Sequence, residues 1–200
     1  MRRLLVEGAA TFGLVFLGTG ACVVNATSGG ALGVVGVGLV FGVAVYALAT
    51  ATGAHMNPAV TVAVWRAGLF PRRDIGPYGL AQAVGAVAAS AAVLAIFKDH
   101  AGDLGATHPA IGLGATFGLE AAMTFILVLV ILRAPPRFVP AAAGVVVALE
   151  AIFAGPLTGA SMNPVRSLAP ALVSGQFEGL WIYLLAPTLG AWAASLPGSR

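Results

Sequence analysis

Residues 8–65 contain no aspartate, glutamate, lysine or arginine. A stretch of that length without charge is too long for the core of a soluble domain, whereas a membrane-spanning helix needs only about 20 apolar residues. Over the whole chain, 8% of the residues are charged, about a third of the share in an average soluble domain. The sequence therefore predicts a protein that crosses a membrane several times. Its net charge of +3 comes from basic residues scattered over short loops, so it does not indicate nucleic-acid binding.

Six apolar segments have the length expected of membrane spans, and we expect each to be helical because backbone groups in lipid must bond to one another. The segments are 4–24, 31–52, 76–97, 116–133, 138–154 and 179–196. The first follows two arginines, an arrangement that is also typical of a signal peptide. Because this apolar run contains Glu7 and continues without a clear cleavage site, we expect it to be retained as the first span.

The arginines indicate the orientation of the chain, since positively charged residues concentrate in cytoplasmic loops. With a cytoplasmic N-terminus, six spans place eight of the ten basic residues inside and only Lys98 outside. The eight are Arg2, Arg3, Arg66, Arg72, Arg73, Arg133, Arg137 and Arg200. We therefore expect both termini in the cytoplasm and residues 98–115 in an extracellular loop. The short loops favour a location in the cell (inner or plasma) membrane.

The sequence Met-Asn-Pro occurs twice, at 56–58 and 162–164, each time preceded by a Gly-Ala-X triplet. Asn-Pro is typical of a helix start: the asparagine side chain caps free amides, and proline at the first helical position has no amide to satisfy. The apolar stretch that follows each copy is only about ten residues long, which is too short to span a bilayer. Each copy therefore predicts a short helix with an asparagine at its tip.

A second correspondence links the first and fourth spans. The sequence Val-Glu-Gly-Ala-Ala-Thr-Phe around Glu7 matches Leu-Glu-Ala-Ala-Met-Thr-Phe around Glu120. The chain thus contains two copies of the order span, span, short helix, span, over about 1–97 and 116–200. Three spans is an odd number, so the second copy enters from the opposite face and the repeat is inverted. We expect a single all-α transmembrane domain over 1–200, with six transmembrane helices and two re-entrant half-helices.

The inverted repeat brings the two short helices together. One enters from the cytoplasm and the other from outside, and two helices of about 14 Å end to end cover one hydrocarbon thickness. Asn57 and Asn163 would then meet near the midplane, where two positive helix ends and the amide donors repel cations and interrupt a proton wire. Arg166, one turn further along, should face the same watery lumen, because an unpaired guanidinium in lipid is costly.

These features, taken together over almost the whole chain, resemble the aquaporin, or major intrinsic protein, family. The resemblance implies a passive channel for water and small uncharged solutes that excludes ions and protons, with no cofactor or metal, assembled as a homotetramer in the lipid bilayer. The pore junction that it implies consists of Asn57, Pro58, Ala59, Asn163, Pro164 and Val165. Val165 departs from the family's Asn-Pro-Ala, and we expect the bulkier side chain to tighten or re-aim the junction without abolishing it.

The resemblance also implies an outer selectivity filter of four residues. Carried over by spacing from the two motifs, these are Val37, Ala151, Ala160 and Arg166. The set lacks the histidine and the large aromatic residue associated with water-only pores. It therefore implies a wide opening for glycerol, urea or neutral metalloid hydroxides such as arsenous or silicic acid. A four-residue gap in the second span would place Phe41 there instead of Val37, and would favour a water-selective aquaporin.

Four other polar residues need an interpretation. Glu7 and Glu120 are candidates for a proton relay or, as the resemblance favours, for acceptors that support the re-entrant loops. His55 is expected to line the pore near the cytoplasmic vestibule, since no partner has metal-ligand spacing. Glu150 either touches the lumen or bonds the loop 155–159, and we favour the loop.

Two functions of other classes remain open. An ion-coupled secondary transporter also uses inverted repeats and helices broken at the midplane, and the three glutamates would be its coupling groups. A structural membrane protein with a closed pore is the other. The sequence contains no nucleophile–base pair, phosphate-binding loop or metal cluster, so we do not expect an enzyme.

Overall fold

The computed structural model describes residues 1–195. The predicted end of the sixth span and the predicted cytoplasmic Arg200 lie outside these residues. The described part is helical and has no strand. Its α-helices are α1 (Arg2–Thr27), α2 (Gly33–Thr52), α3 (Pro58–Arg66), α4 (Ile75–Phe97), α5 (Leu113–Arg133), α6 (Val139–Thr158), α7 (Pro164–Ser174) and α8 (Leu180–Ala194).

Five of the long helices, α1, α2, α4, α5 and α6, are long and apolar enough to cross a membrane. Helix α8 is also apolar but has only 15 described residues. The prediction ended the fifth span at residue 154, whereas α6 continues through Pro156 to Thr158. The helix ends there because Gly159 adopts a φ of 82° and its N–H closes the last turn on the carbonyl of Gly155.

The two short helices begin at the predicted prolines. Pro58 starts the 9 residues of α3, and Pro164 starts the 11 residues of α7. In both, the preceding asparagine is extended, and its side chain accepts a hydrogen bond from the amide two residues ahead. This capping satisfies one of the free amides at each helix start, so the chain can begin a helix inside the molecule.

Glycines let the long helices pack backbone against backbone. A Cβ on Gly85 of α4 would lie 2.1 Å from the carbonyl oxygen of Gly8 on α1, and one on Gly190 of α8 would lie 2.1 Å from that of Ala121 on α5. Helices α2 and α6 meet in the same way, since a Cβ on Gly42 would lie 2.5 Å from the carbonyl oxygen of Gly144. Contacts between small residues of this kind are typical of helix interfaces in membranes. Helices α3 and α7 both contact α4 and α8.

Candidate functional site

The loop before α3 is held by a buried carboxylate on α1. The Oε2 atom of Glu7 accepts the backbone N–H of His55 at 3.0 Å, and Oε1 accepts that of Met56. Gln82 on α4 donates its Nε2 to the same Oε1 at 2.7 Å. Glu7 is 1% exposed. Its carboxylate therefore replaces the water that these loop amides would otherwise require.

The loop before α7 is held in the same manner from α5. The Oε1 atom of Glu120 accepts the N–H of Ser161, and Oε2 accepts that of Met162, both at 2.9 Å. The Thr158 hydroxyl donates to Oε1 at 2.7 Å. Both glutamates thus act on equivalent residues of the two loops, and each is occupied by backbone amides.

The asparagines at the helix tips join the two loops. Asn57 Nδ2 donates to the carbonyl oxygen of Met162, and Asn163 Nδ2 donates to that of Met56, both at 2.8 Å. Their Oδ1 atoms accept from the amides of Ala59 and Val165 respectively. One N–H of each side-chain amide is left, and both asparagines line the inner cavity described below. That hydrogen is available to an oxygen atom in the cavity.

The two methionine carbonyls point across the junction because of an unusual backbone. Met56 has a φ of 54° and Met162 a φ of 53°, values that cost a residue with a side chain about 1 kcal/mol or more. The glutamate carboxylates hold the methionine N–H groups, and the asparagines hold the methionine carbonyls. The strained residues are therefore fixed from both sides at the point where the two loops meet.

Two cavities meet inside the helix bundle. The larger, with a volume of about 500 Å³, is lined by His55 and both asparagines and is called the inner cavity. The smaller, of about 360 Å³, is lined by Asp103 and Gly105 and is called the outer cavity, after the sides of the membrane expected from the sequence. Four residues line both and so surround the constriction between them, namely Phe41, Ala151, Ala160 and Arg166. The cavities and this constriction together form a candidate pore.

Three of the four residues predicted for the filter surround this constriction, and Val37 does not. Val37 lines only the outer cavity. Phe41, one helical turn further along α2, lines both cavities and has the Arg166 Cζ 5.0 Å from its ring centroid. Gly18 on α1 makes room for the ring, because a Cβ there would lie 2.1 Å from it.

Arg166 is 3% exposed and lines both cavities. Its Nη1 donates to the carbonyl oxygen of Gly105 at 2.7 Å, and its Nε has no hydrogen-bond partner among the described residues. A buried guanidinium needs acceptors. Nε is enclosed by protein atoms, so the donors that a molecule in the cavities can reach are the remaining N–H groups of the two Nη atoms.

Val165 does not line either cavity. It is 4% exposed and packs in a cluster with Val15 of α1 and with Ala86 and Ala89 of α4. The expected tightening of the junction by Val165 is therefore not observed, since α7 turns this side chain towards neighbouring helices. Its counterpart Ala59 is likewise buried between helices, against α5 and α8.

His55 lines the inner cavity, and its Nδ1 lies 3.1 Å from the hydroxyl of Thr61. The rings of Phe70 and Tyr78 pack around it, with centroids at 5.0 and 5.6 Å. The imidazole is therefore fixed at the side of the cavity where α3 begins.

Glu150 meets neither expectation. It lines neither cavity. Its two carboxylate oxygens have no hydrogen-bond partner among the described residues, although it is only 8% exposed. The favoured bond to the loop 155–159 is therefore wrong, because α6 remains helical to Thr158 and leaves no free loop amide there.

The outer cavity is also lined by residues that sequence reasoning did not assign to the pore. They include Cys22, Asn25, Asp103 and Gly105. A signal for the last two was present, because aspartate two residues before glycine is typical of a turn in which the side chain accepts the glycine N–H. That bond is observed, at 2.9 Å.

The chain is similar to known proteins over almost its whole length. The model of the family "Major intrinsic protein" matches residues 1–197. Aquaporin NIP1-3 of Oryza sativa subsp. japonica is 36% identical over 98% of this chain and 73% of its own length. Nodulin-26 of Glycine max is 38% identical over 98% of this chain and 76% of its own.

Among solved structures, the aquaglyceroporin from Plasmodium falciparum matches with a TM-score of 0.86 at 25% identity. The match covers 97% of this chain and 93% of that chain. The family match extends over both short helices and all residues of the two cavities.

Proposed function

Since the chain belongs to the major intrinsic protein family, we propose that its pore admits small polyols, urea and neutral metalloid hydroxides as well as water. Membership makes the protein a passive, multi-pass membrane channel for water and small neutral solutes, and not an enzyme. What remains to be assigned is which residues select the solute and how widely the pore opens.

The selecting residues in this proposal are Phe41, Ala151, Ala160 and Arg166. Val37 lies beside them but lines only the outer cavity, so it is not one of the four. An aromatic ring and two methyl groups form an apolar wall, and one guanidinium supplies hydrogen-bond donors. A polyol or a metalloid hydroxide has acceptor oxygens for the guanidinium, and a polyol also has C–H groups for the apolar wall. The observation that carries the proposal is that Phe41, the two alanines and Arg166 line both cavities and therefore surround the constriction between them.

The exclusion of protons and cations is assigned to Asn57 and Asn163. Each has one amide hydrogen left for the lumen, and each lies at the positive end of a short helix. A water molecule that accepts both hydrogens has its own hydrogens turned away from its neighbours, which interrupts proton transfer along the file. Glu7 and Glu120 serve as supports of the loops, because their oxygens already accept backbone amides.

A water-selective channel is the second candidate, and one observation favours it. The ring of Phe41, which lies beside Arg166, is larger than the valine expected from spacing. If the ring leaves room for water alone, glycerol and urea are excluded by size. The two candidates differ in one measurable quantity, the ratio of glycerol permeability to water permeability.

The test is a stopped-flow swelling assay on liposomes that contain the purified protein, with water, glycerol, urea and arsenite in turn. We expect protein-dependent flux of water and of at least one of these solutes, linear in its gradient. Water flux without solute flux would support the second candidate. Saturating flux that depends on a proton or sodium gradient would support a secondary transporter instead, and zero flux a structural protein.

A matched variant tests the assignment of the constriction. Ala160→Phe adds a ring beside Arg166, and we expect it to reduce glycerol flux more than water flux. Leu172→Phe adds the same ring at an exposed position on α7 that lines neither cavity, and should leave both fluxes unchanged. Equal losses of glycerol and water flux in Ala160→Phe would contradict the assignment.

The organisation of the whole protein is also part of the proposal. Residues 1–200 form a single channel domain whose repeats, about 1–97 and 116–200, are joined by an extracellular loop at 98–115. Both termini lie in the cytoplasm, because this orientation places most arginines inside. Four copies assemble as a homotetramer in the cell (inner or plasma) membrane, as the family resemblance implies.

A further inference from the structure

Arg166 is held by a backbone carbonyl and not by a carboxylate. Its Nη1 donates to the carbonyl oxygen of Gly105 at 2.7 Å. Among residues 1–195, no carboxylate forms a salt bridge with it. The position of the guanidinium in the constriction therefore depends on the position of Gly105, which belongs to the loop between α4 and α5.

Gly105 is in turn held by Asp103. The Gly105 N–H donates to Asp103 Oδ1 at 2.9 Å, and Asp103 Oδ2 lies 2.7 Å from Nε2 of His108. The side chains of Asp103 and His108 are 42% and 44% exposed. A chain of hydrogen bonds thus runs from two partly exposed side chains to the buried guanidinium, through the N–H and the carbonyl oxygen of Gly105.

The space around Gly105 leaves its carbonyl little freedom. Gly105 has a φ of 68°, and a Cβ there would lie 2.9 Å from the Cβ of Cys22 and 3.2 Å from the carbonyl oxygen of Thr19. The preceding Leu104 is 1% exposed and packs against α1 and α4. The loop therefore lies directly against α1. The Asp103 side chain holds the N–H of Gly105, and the Asp103 backbone carbonyl accepts the N–H of Ala106 at 3.1 Å, so Asp103 holds both peptide units that flank Gly105.

We propose that Asp103 is a positioning residue for selectivity, which holds the Arg166 guanidinium against the wall of the constriction through the Gly105 carbonyl. This inference rests on the proposed role of Arg166 in the constriction. When the Asp103 side chain is removed, the Gly105 N–H loses its acceptor, the backbone at Gly105 rotates, and the Gly105 carbonyl turns away from Arg166. The guanidinium then moves towards water in the lumen, where it narrows the opening for solutes larger than water.

The test compares Asp103→Ala with Asp103→Asn in full-length protein in liposomes. Alanine removes the acceptor for the Gly105 N–H, whereas asparagine keeps an oxygen in the same place. We expect Asp103→Ala to lower the ratio of glycerol to water permeability about three- to tenfold, because Arg166 loses one hydrogen bond to its charged group. Asp103→Asn should restore the ratio, because the bond depends on the acceptor oxygen.

Asp99 provides the control, because it lies at the start of the same loop and its side chain makes no hydrogen bond among the described residues. Asp99→Ala removes the same charge from the outer mouth and should leave the ratio unchanged. An unchanged ratio in Asp103→Ala overturns the inference, as does an equal fall of both permeabilities or a ratio that Asp103→Asn does not restore.

Arg166→Val separates a failure of this inference from a failure of the proposed function. If Arg166→Val changes the ratio and Asp103→Ala does not, only the positioning role is lost. If neither changes it, Arg166 does not select and the proposed constriction is wrong as well.

A second variant tests the inference if Asp103→Ala does not fold. The loop is also tied to α7 by the Thr107 hydroxyl, which donates to Ser167 Oγ at 2.9 Å, so we expect it to remain docked. If Asp103→Ala nevertheless yields no folded protein, His108→Ala decides, because that partly exposed residue orients Asp103 without contacting Gly105. A lowered ratio in His108→Ala supports the inference, and an unchanged ratio overturns it.

Discussion

Asn57 and Asn163 each hold the loop that carries the other. The Nδ2 of each donates at 2.8 Å to the carbonyl of the methionine that precedes its counterpart. The same two side chains cap their own helices through Oδ1. A single side chain therefore serves as helix cap, as link between the loops and as lumen donor, and only an amide has both the acceptor and the two donors that this requires.

We expect Asn163→Asp to keep the helix cap and to lose the link. The carboxylate has no hydrogen for the Met56 carbonyl, and leaving a buried acceptor unpaired costs about 1–3 kcal/mol. Water and glycerol permeability should fall about tenfold, and the added negative charge should raise cation leak in a vesicle flux assay. Asn57→Asp should behave alike.

Asn25→Asp is the matched control for that pair. It places the same charge in the outer cavity and keeps its oxygen as acceptor for the N–H of Gly33 at 2.8 Å. Permeability equal to that of the unmodified protein is expected. If Asn25→Asp leaks cations as much as Asn163→Asp does, charge alone and not the junction explains the effect.

Gly18→Ala tests the position of the Phe41 ring. The added methyl group overlaps the ring, so we expect the ring to move into the lumen and to reduce glycerol flux more than water flux. Phe41→Ala should increase the ratio of glycerol to water permeability. The double variant should resemble Phe41→Ala in a swelling assay, because the methyl group then meets no ring.

Val37→Ala is the control for this series, since Val37 lines only the outer cavity. Little change in the permeability ratio is expected. A larger effect of Val37→Ala than of Phe41→Ala would return the filter to the residue that spacing from the Asn-Pro motif assigned.

Val165→Ala should affect stability and not conduction. The side chain packs against α1 and α4 and touches neither cavity. Removing two methyl groups from a close-packed site leaves a void, and we expect a decrease of about 2–4 °C in the melting temperature per kcal/mol lost. Water and glycerol permeability should be unchanged, and a changed permeability ratio would place Val165 in the pore after all.

Glu150→Gln and Glu120→Gln should differ in thermal stability, although both replace a buried glutamate. The Glu150 oxygens have no hydrogen-bond partner among residues 1–195, and an amide of the same shape breaks no bond there, so we expect this variant to melt no lower than the unmodified protein and to conduct normally. In Glu120→Gln an amide NH₂ group faces loop N–H donors, so about 2 kcal/mol or more of stability should be lost. Thermal melting in detergent measures both, and a large loss with Glu150→Gln would reveal a missing partner.

The predicted all-α membrane fold is confirmed by the family match and by the similarity to a solved aquaglyceroporin. This prediction succeeded because its signals are local. Residues 8–65 lack charge, and the two Asn-Pro pairs start helices by capping their own first turns. Span ends were less accurate, as in α6, where the predicted span ends at residue 154 and the helix continues through Pro156 to Thr158.

The constriction was predicted in part. Spacing assigned Val37, while Phe41 lines both cavities. Four residues separate them, about one helical turn, so both lie on the same face of α2. The two residues differ in their position along the pore axis. That position depends on how far α2 is shifted along its own axis relative to α1 and α6, and on the space that Gly18 leaves for the Phe41 ring.

By itself, the sequence determined the helices, the two short helix starts and the residues that have to be kept out of lipid, because hydrophobicity, capping and charge act within a few residues of the chain. Only the tertiary structure decided that Asn57 bonds to Met162, that Val165 points away from the lumen and that Arg166 is held through Gly105. Such contacts join residues far apart in the chain, and they depend on the rotation and height of each helix, which are fixed by packing against its neighbours.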